Sequence, residues 1–363
     1  MTIDETLGTW SALFMLLAAM TYLVAFVAFA WDMASHSRTL HRTAHHSRRD
    51  EQLVGAATAP AQVNSTAGTT KKADDSRPGL GANERGRGHK PPTRAVLAEH
   101  VADSSMRYTG ERRPAARAAV TIMVLAFLLH TAAVASRAIA AGRVPWGNMY
   151  EFATTGALVV AGVYLAALLR RDLRFVGTLV SGLVVIMLCA ATIGFPTPVG
   201  PLVPALQSWW LVIHVSIAVA ASGIFTITFA MAVLQLLQAR RERAILAGEA
   251  PGMGFLAMVP SSQALENLSF RLNAVGFAFW TFTLAAGAIW AEQSWGRYWG
   301  WDPKEVWTFV IWVVYAAYIH ARATRGWTGT RSAWLSIAGY LCVIFNFTVV
   351  NTVFEGLHSY SGL

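Results

Sequence analysis

Eight apolar stretches, at about 8–31, 117–141, 152–169, 175–194, 209–238, 270–291, 304–322 and 333–355, divide this 363-residue chain. Each is long enough, or nearly so, to carry a helix across the ~30 Å hydrocarbon core of a bilayer. Lipid is therefore the solvent for most of the sequence. The chain is 55% hydrophobic and only 13% charged, where soluble domains average roughly 25% charged. The fold expected is an all-α polytopic membrane protein of about eight transmembrane helices.

Basic residues orient those helices, because Lys and Arg collect on the cytoplasmic side. The 32–117 loop, Arg170-Arg171-Asp172-Leu173-Arg174, Arg240-Arg241-Glu242-Arg243, and Arg322, Arg325 and Arg331 all fall on one side. Segments 1–9, 195–208 and 356–363 fall on the other and hold no basic residue. Both termini are thus expected outside. The first span is too long for a signal peptide, and Met1 to Thr9 offer Asp4 and Glu5 but no basic n-region, so it reads as a retained helix. Four cations break the rule on the outer side: Arg137, Arg143, Arg297 and Lys304.

A formal charge of +9 invites a nucleic-acid partner, but residues 32–117 hold fifteen Lys/Arg against nine Asp/Glu, so most of the excess sits in one loop. Membrane insertion accounts for a basic cytoplasmic loop, and no nucleic acid is needed. Residues 32–116 are rich in Ala, Gly, Thr, Ser and Arg, contain Pro91-Pro92 and lack an apolar period, so disorder is expected there. Their histidines (His36, His41, His45, His46, His89, His100) read as incidental. Three regions follow: 1–31, a first helix; 32–116, the cytoplasmic loop; and 117–363, a seven-helix membrane domain. Cys189 and Cys342 lie inside apolar segments, outside any CxxC or CxxCH, and suit apolar filling. That excludes a thiol oxidoreductase and a c-type cytochrome.

The densest chemistry lies at 295–307: Trp295-Gly296-Arg297-Tyr298-Trp299-Gly300-Trp301-Asp302-Pro303-Lys304-Glu305-Val306-Trp307. Its second half is a helix start, with Asp302 as cap, Pro303 at the first helical position and Glu305 three after the cap. As a cap alone, Asp302 would be replaceable by Asn. An interface belt explains some tryptophans. Four Trp and a Tyr in thirteen residues, with Trp290 and Trp312 nearby, point further, to a planar apolar ligand. Pro145-Trp146-Gly147-Asn148-Met149-Tyr150-Glu151 repeats the grammar, with Asn148 as cap and Glu151 three residues on. Capping leaves Arg137 and Arg143 unexplained on the outer side, and carboxylates of a bound ligand are candidate partners for both.

Two histidines share that side: His214 near the outer start of the fifth span, and His358 just past the outer end of the eighth. Two imidazoles, an aromatic platform and outer arginines are what haem needs for axial ligation, packing and its propionates. Two further histidines lie within spans, where ionisable groups are costly and count as functional candidates. His320 is sixteen residues beyond Lys304, ~24 Å along a helix, too far to share an iron with the outer pair. His130, thirteen residues from Arg117 and ~20 Å from the inner surface, reads equally as a histidine bonded to a neighbouring helix.

The Trp-rich stretch resembles the "WWD" signature of haem-handling proteins of cytochrome c biogenesis. Pro145 to Glu151, His214, His320 and Gly356-Leu357-His358-Ser359-Tyr360 narrow the resemblance to the CcsA/ResC branch of system II, over roughly 118–363. It implies haem b, as substrate and ligand, held between His214 and His358 against Trp295, Tyr298, Trp299, Trp301 and Asp302, with Arg137 and Arg143 nearby. It also implies a CcsB/ResB-type membrane partner, whose own histidine would complete an inner site with His320, and an apocytochrome c bearing CxxCH. Reducing power would come indirectly from a thiol-reducing protein. The setting implied is the bacterial plasma membrane rather than the thylakoid. Two readings stay open, a component of the haem-attaching synthase and a haem transporter or chaperone without synthase activity. A b-type electron-transfer cytochrome fits less well, since its histidines would stack within the bundle.

Overall fold

The structure, a computed structural model, describes residues 4–57, 113–249 and 252–358, with side chains described except at 36–57 and 325. Among the described residues, eight helices are long and apolar enough to cross a membrane, matching the eight stretches above. They are α1 (Glu5–Ala57), α2 (Pro114–Ala141), α3 (Met149–Leu168), α4 (Gly177–Cys189), α5 (Trp209–Leu246), α6 (Ser262–Trp295), α7 (Pro303–Arg325) and α8 (Thr330–Phe347). A π-helical turn, Ala190–Gly194, extends α4, and the short α9 (Val349–Val353) follows α8.

The first helix runs past residue 31, and α1 continues to Ala57. Residues 32–54 contain no proline and no glycine, so nothing in that stretch stops a helix. The rest of the expected disordered loop, 58–112, lies outside the described residues.

Helix α5 organises the bundle. It packs on α6 along one side and on α3 and α8 elsewhere, while α1 pairs with α2 and α4. One apolar core joins α1–α5, and a second, built on Phe225, Trp280, Ile311, Tyr315 and Tyr340, joins α5–α8. At 38 residues α5 is ~57 Å long, more than a bilayer requires. Its excess carries Arg240, Arg241 and Arg243 beyond the apolar layer. Helix α7 has the least covered apolar span of the eight.

An even number of crossings returns both described ends to one face. That face collects the start of α1, the α2–α3 turn, segment 195–208, the Trp-rich loop and the chain after α9. Cross-links hold it together: the Asp4 N–H donates to Ala140 O at 3.3 Å, and Trp290 Nε1 donates to Ala205 O at 3.1 Å. On the opposite face Arg113 pairs with Asp32 at 2.8 Å and Arg322 pairs with Glu266, tying α7 to α6. His130 is wholly buried, its ring edge-on to Tyr22 at 5.7 Å. Among the described residues the Tyr22 hydroxyl has no hydrogen-bond partner, which is rare for a buried polar group.

Candidate functional site

The predicted helix starts form, and each does more than cap. At α3, Asn148 Oδ1 accepts from Glu151 N at 2.9 Å. At α7 the capping box closes reciprocally, with Asp302 accepting from the first turn and Glu305 accepting from Asp302 N. Glu305 also takes Gly300 N at 2.8 Å and Arg297 NH1 at 3.1 Å, which folds the Trp-rich loop back onto its own helix. Trp301 absorbs the tight turn with a left-handed backbone, φ 61°, uncommon for a bulky residue.

Between α3, α4, α5, α6, α7 and α8, on the side of the Trp-rich loop, lies a cavity of about 370 Å³. That size falls within the usual range for preformed small-molecule sites, ~300–1,000 Å³. His214, His358, Trp290, Tyr298, Trp299 and Lys304 line it, among mostly apolar neighbours. His214 and His358 therefore meet at one space although 144 positions separate them in the chain.

Their hydrogen bonds determine which nitrogen each histidine presents. His214 Nδ1 lies 2.9 Å from the carbonyl of Thr283, which can only accept, so Nδ1 carries the proton. His358 Nδ1 lies 2.7 Å from Asp302 Oδ2. Burial alone would raise the Asp302 carboxyl. The hydrogen bond from His358, with those from the N–H groups of Leu357 and Lys304, outweighs burial and holds it below the usual carboxylate range. Asp302 is thus a carboxylate at neutral pH, and His358 Nδ1 also donates. Each imidazole keeps the lone pair of Nε2 for a ligand. This arrangement, with one ring nitrogen anchored to a carbonyl or carboxylate, is the usual one for metal-binding histidine.

Packing fixes the rings as well. Trp290, 2% exposed, stacks near-parallel to His214 at 5.9 Å and stands edge-on to His358 at 5.4 Å. Trp295 backs both Trp290, at 4.7 Å, and His358, at 4.8 Å. Gly287 makes room for His214: a Cβ there would sit 2.7 Å from the ring. Gly356 does the same for the Asp302–His358 contact, since a Cβ would come within 2.4 Å of Asp302 Oδ1.

Several expected site residues stand elsewhere. Arg137 and Arg143 are not on the cavity wall; both are committed to Glu151, wholly buried, at 2.9 and 2.7 Å. Carbonyls of Thr197, Pro198 and Gly200 take further donors from the pair. The two arginines thus answer a buried carboxylate of the chain itself. Trp301 is 73% exposed, edge-on to Trp299 and off the cavity wall. Trp295 and Asp302 support the histidines from behind. His320 is on an exposed flank of α7, near its far end and away from the cavity.

Sequence reasoning misses Gly287, Thr283 and the central place of Trp290. Only Lys304 carries a visible signal: it breaks the charge rule and puts a cation at a helix N-terminus, where the dipole disfavours one.

The family profile described as cytochrome C assembly protein matches residues 146–358, from Trp146 to His358. A cytochrome c biogenesis protein CcsA from Guillardia theta is 35% identical over 256 residues, covering 66% of this chain and 84% of that protein. The CcsA protein of Microcystis aeruginosa is 32% identical over 66% of this chain and 86% of its own length. A solved cytochrome c haem lyase, CcmF, aligns with a TM-score of 0.49 at 18% identity, over 71% of this chain and 46% of that one.

Proposed function

This chain belongs to the CcsA family of cytochrome c assembly proteins and serves cytochrome c biogenesis, and within that role we propose that its outer cavity holds haem b between His214 and His358. The observation that carries the reading is the matched pair of imidazoles. Each has Nδ1–H anchored and Nε2 left for iron, and both line one aromatic cavity. Haem supplies the vinyl carbons to which substrate thiols add. The residues of this chain bind the iron, orient the ring and keep its faces dry. His214 and His358 ligate, Thr283 and Asp302 set their tautomers, and Trp290 and Trp299 wall the site.

Addition of an S–H across a vinyl C=C consumes no oxidant and releases no leaving group. The chain therefore needs only to present the vinyl edge to the CxxCH cysteines of an apocytochrome c, which a thiol-reducing protein keeps reduced. The histidine of CxxCH then replaces one imidazole and draws the product away. We place His320 in an inner haem site completed by a CcsB/ResB-type partner. Its exposure on the least covered helix supports that assignment. The charge asymmetry of the loops supports a cavity that faces away from the cytoplasmic side.

His214→Ala and His358→Ala should each lower haem per protein and abolish the six-coordinate low-spin spectrum. A double variant with unchanged haem content and spectrum would exclude the site. Gly287→Val should imitate His214→Ala, since the added atoms displace the ring from Thr283, and it should do so at normal protein abundance. Co-expression with the partner and an apocytochrome, in a host lacking other maturation systems, separates the two readings. Covalent haem identifies synthase activity, and bound but unattached haem identifies carriage alone.

A further inference from the structure

The cavity contains a lysine that makes no salt bridge among the described residues. Lys304 is the second residue of α7 and lines the same cavity as His214 and His358. Its ammonium donates to Asn346 O and Asn351 Oδ1, both at 2.7 Å, and both acceptors are neutral. Among the described residues no carboxylate lies within salt-bridge distance of it. Asp302 is near, but its oxygens are taken by Leu357 N, His358 Nδ1 and the backbone N–H of Lys304 itself. The other three outer-side cations are all paired, Arg137 and Arg143 with Glu151 and Arg297 with Glu305. An ammonium has three donors, and two are used here. Desolvating an unpaired cation is costly, and the helix dipole adds to the cost at this position. Such an arrangement is stable when an anion from outside the chain completes it.

We propose that Lys304 binds a propionate of the haem and sets the rotation of the macrocycle about the axis joining the two imidazoles. The inference rests on the haem reading above and specifies how that haem sits. Two axial ligands fix the iron and the tilt of the ring, but leave it free to turn in its own plane. A charged contact at the edge removes that freedom. Haem carries its two propionates along one edge and its vinyl groups on the other side of the ring. Holding a propionate at Lys304 therefore turns the vinyl groups away from the start of α7. A thioether has to form at a defined vinyl carbon, so this contact would position the reacting edge, whereas the histidines position only the iron. Lys304 is a positioning residue and touches no reacting atom.

The test compares uptake of haem with uptake of haem dimethyl ester, in which both propionates are neutral, by the purified full-length protein. A charge-assisted hydrogen bond of ordinary strength predicts that the wild type prefers haem by about ten- to a hundred-fold. Lys304→Met should bind both porphyrins equally and keep the six-coordinate low-spin spectrum. Lys304→Gln, which still donates to Asn346 and Asn351, serves the same purpose if the Met variant does not accumulate. Equal affinity for the two porphyrins in the wild type would overturn the proposal, as would a preference that survives in the variant. Those results leave bis-histidine ligation standing. A wild type that takes up neither porphyrin would sink the haem reading itself, and this proposal with it.

Discussion

Glu151→Gln should remove most of the folded protein from the membrane. The Glu151 side chain has no solvent exposure, and it accepts from Arg137 Nε, both terminal nitrogens of Arg143 and Gly147 N. Its two partners are 8% and 12% exposed, so neither can turn to water without unpacking. Glutamine keeps the shape but supplies one acceptor in place of two, and leaves two guanidinium charges facing an amide. Breaking a buried pair this way costs about 3–5 kcal/mol, a large share of the ~5–15 kcal/mol that holds a domain folded. The readouts are protein abundance and the thermal midpoint in detergent. Arg143→Gln added to Glu151→Gln should recover part of the loss, because one unmatched charge goes with it. An unchanged midpoint in Glu151→Gln would mean that the carbonyls of Thr197, Pro198 and Gly200 suffice to hold both arginines.

That cluster also shows where sequence reasoning reaches its limit. The positions of Arg137 and Arg143 are conspicuous against the charge rule, and a ligand's carboxylates are one answer. Glu151 is another, but its spacing from Asn148 already fits a capping box. Only the folded α2–α3 turn reveals that the carboxylate swings to Gly147 and the two arginines instead. Periodicity and capping speak about neighbours a few residues apart, so the eight spans and the starts of α3 and α7 are legible. The extent of α1 is not, because the 32–54 segment is polar. Polarity argues against a core, but it does not end a helix.

The site divides the same way. His214 and His358 can be paired from topology, since both fall at outer helix ends. Their tautomers depend on Thr283 and Asp302, which are 69 and 56 positions away in the chain. Trp301 is equal to Trp299 in the sequence, yet its own left-handed backbone goes with a side chain that stands outside the cavity. Gly287 has no signal at all, because a glycine in an apolar helix announces nothing until a ring lies against it. Lys304 is the opposite case, an anomaly visible in the sequence that takes on meaning only when the cavity is seen to reach it.

The Asp302→Asn variant should behave much more like a ligand mutant than like a cap mutant. Judged as a cap the change is mild, because asparagine caps helices as well as aspartate does. In the folded chain three donors converge on this carboxylate: Leu357 N at 2.7 Å on Oδ1, and Lys304 N at 3.1 Å with His358 Nδ1 at 2.7 Å on Oδ2. Asparagine has one oxygen and must turn an NH₂ toward at least one of them. If the amide faces His358, the imidazole loses the acceptor that holds its Nδ1 proton and aims its Nε2. If it faces Leu357, the segment carrying His358 is released from the start of α7. Either way His358 is displaced, and when the amide faces Leu357 the remaining oxygen still caps α7 through Lys304 N. Outer-shell partners of this kind are worth about ten- to a hundred-fold in metal affinity, so haem per protein should drop by that order at near-normal abundance. Any haem retained should show a higher reduction potential, because an imidazole that no longer donates to a carboxylate is a weaker donor to ferric iron. Haem titration and a potentiometric titration of the same preparation provide the check. Wild-type haem affinity together with an unshifted potential would return Asp302 to the role of a helix cap alone.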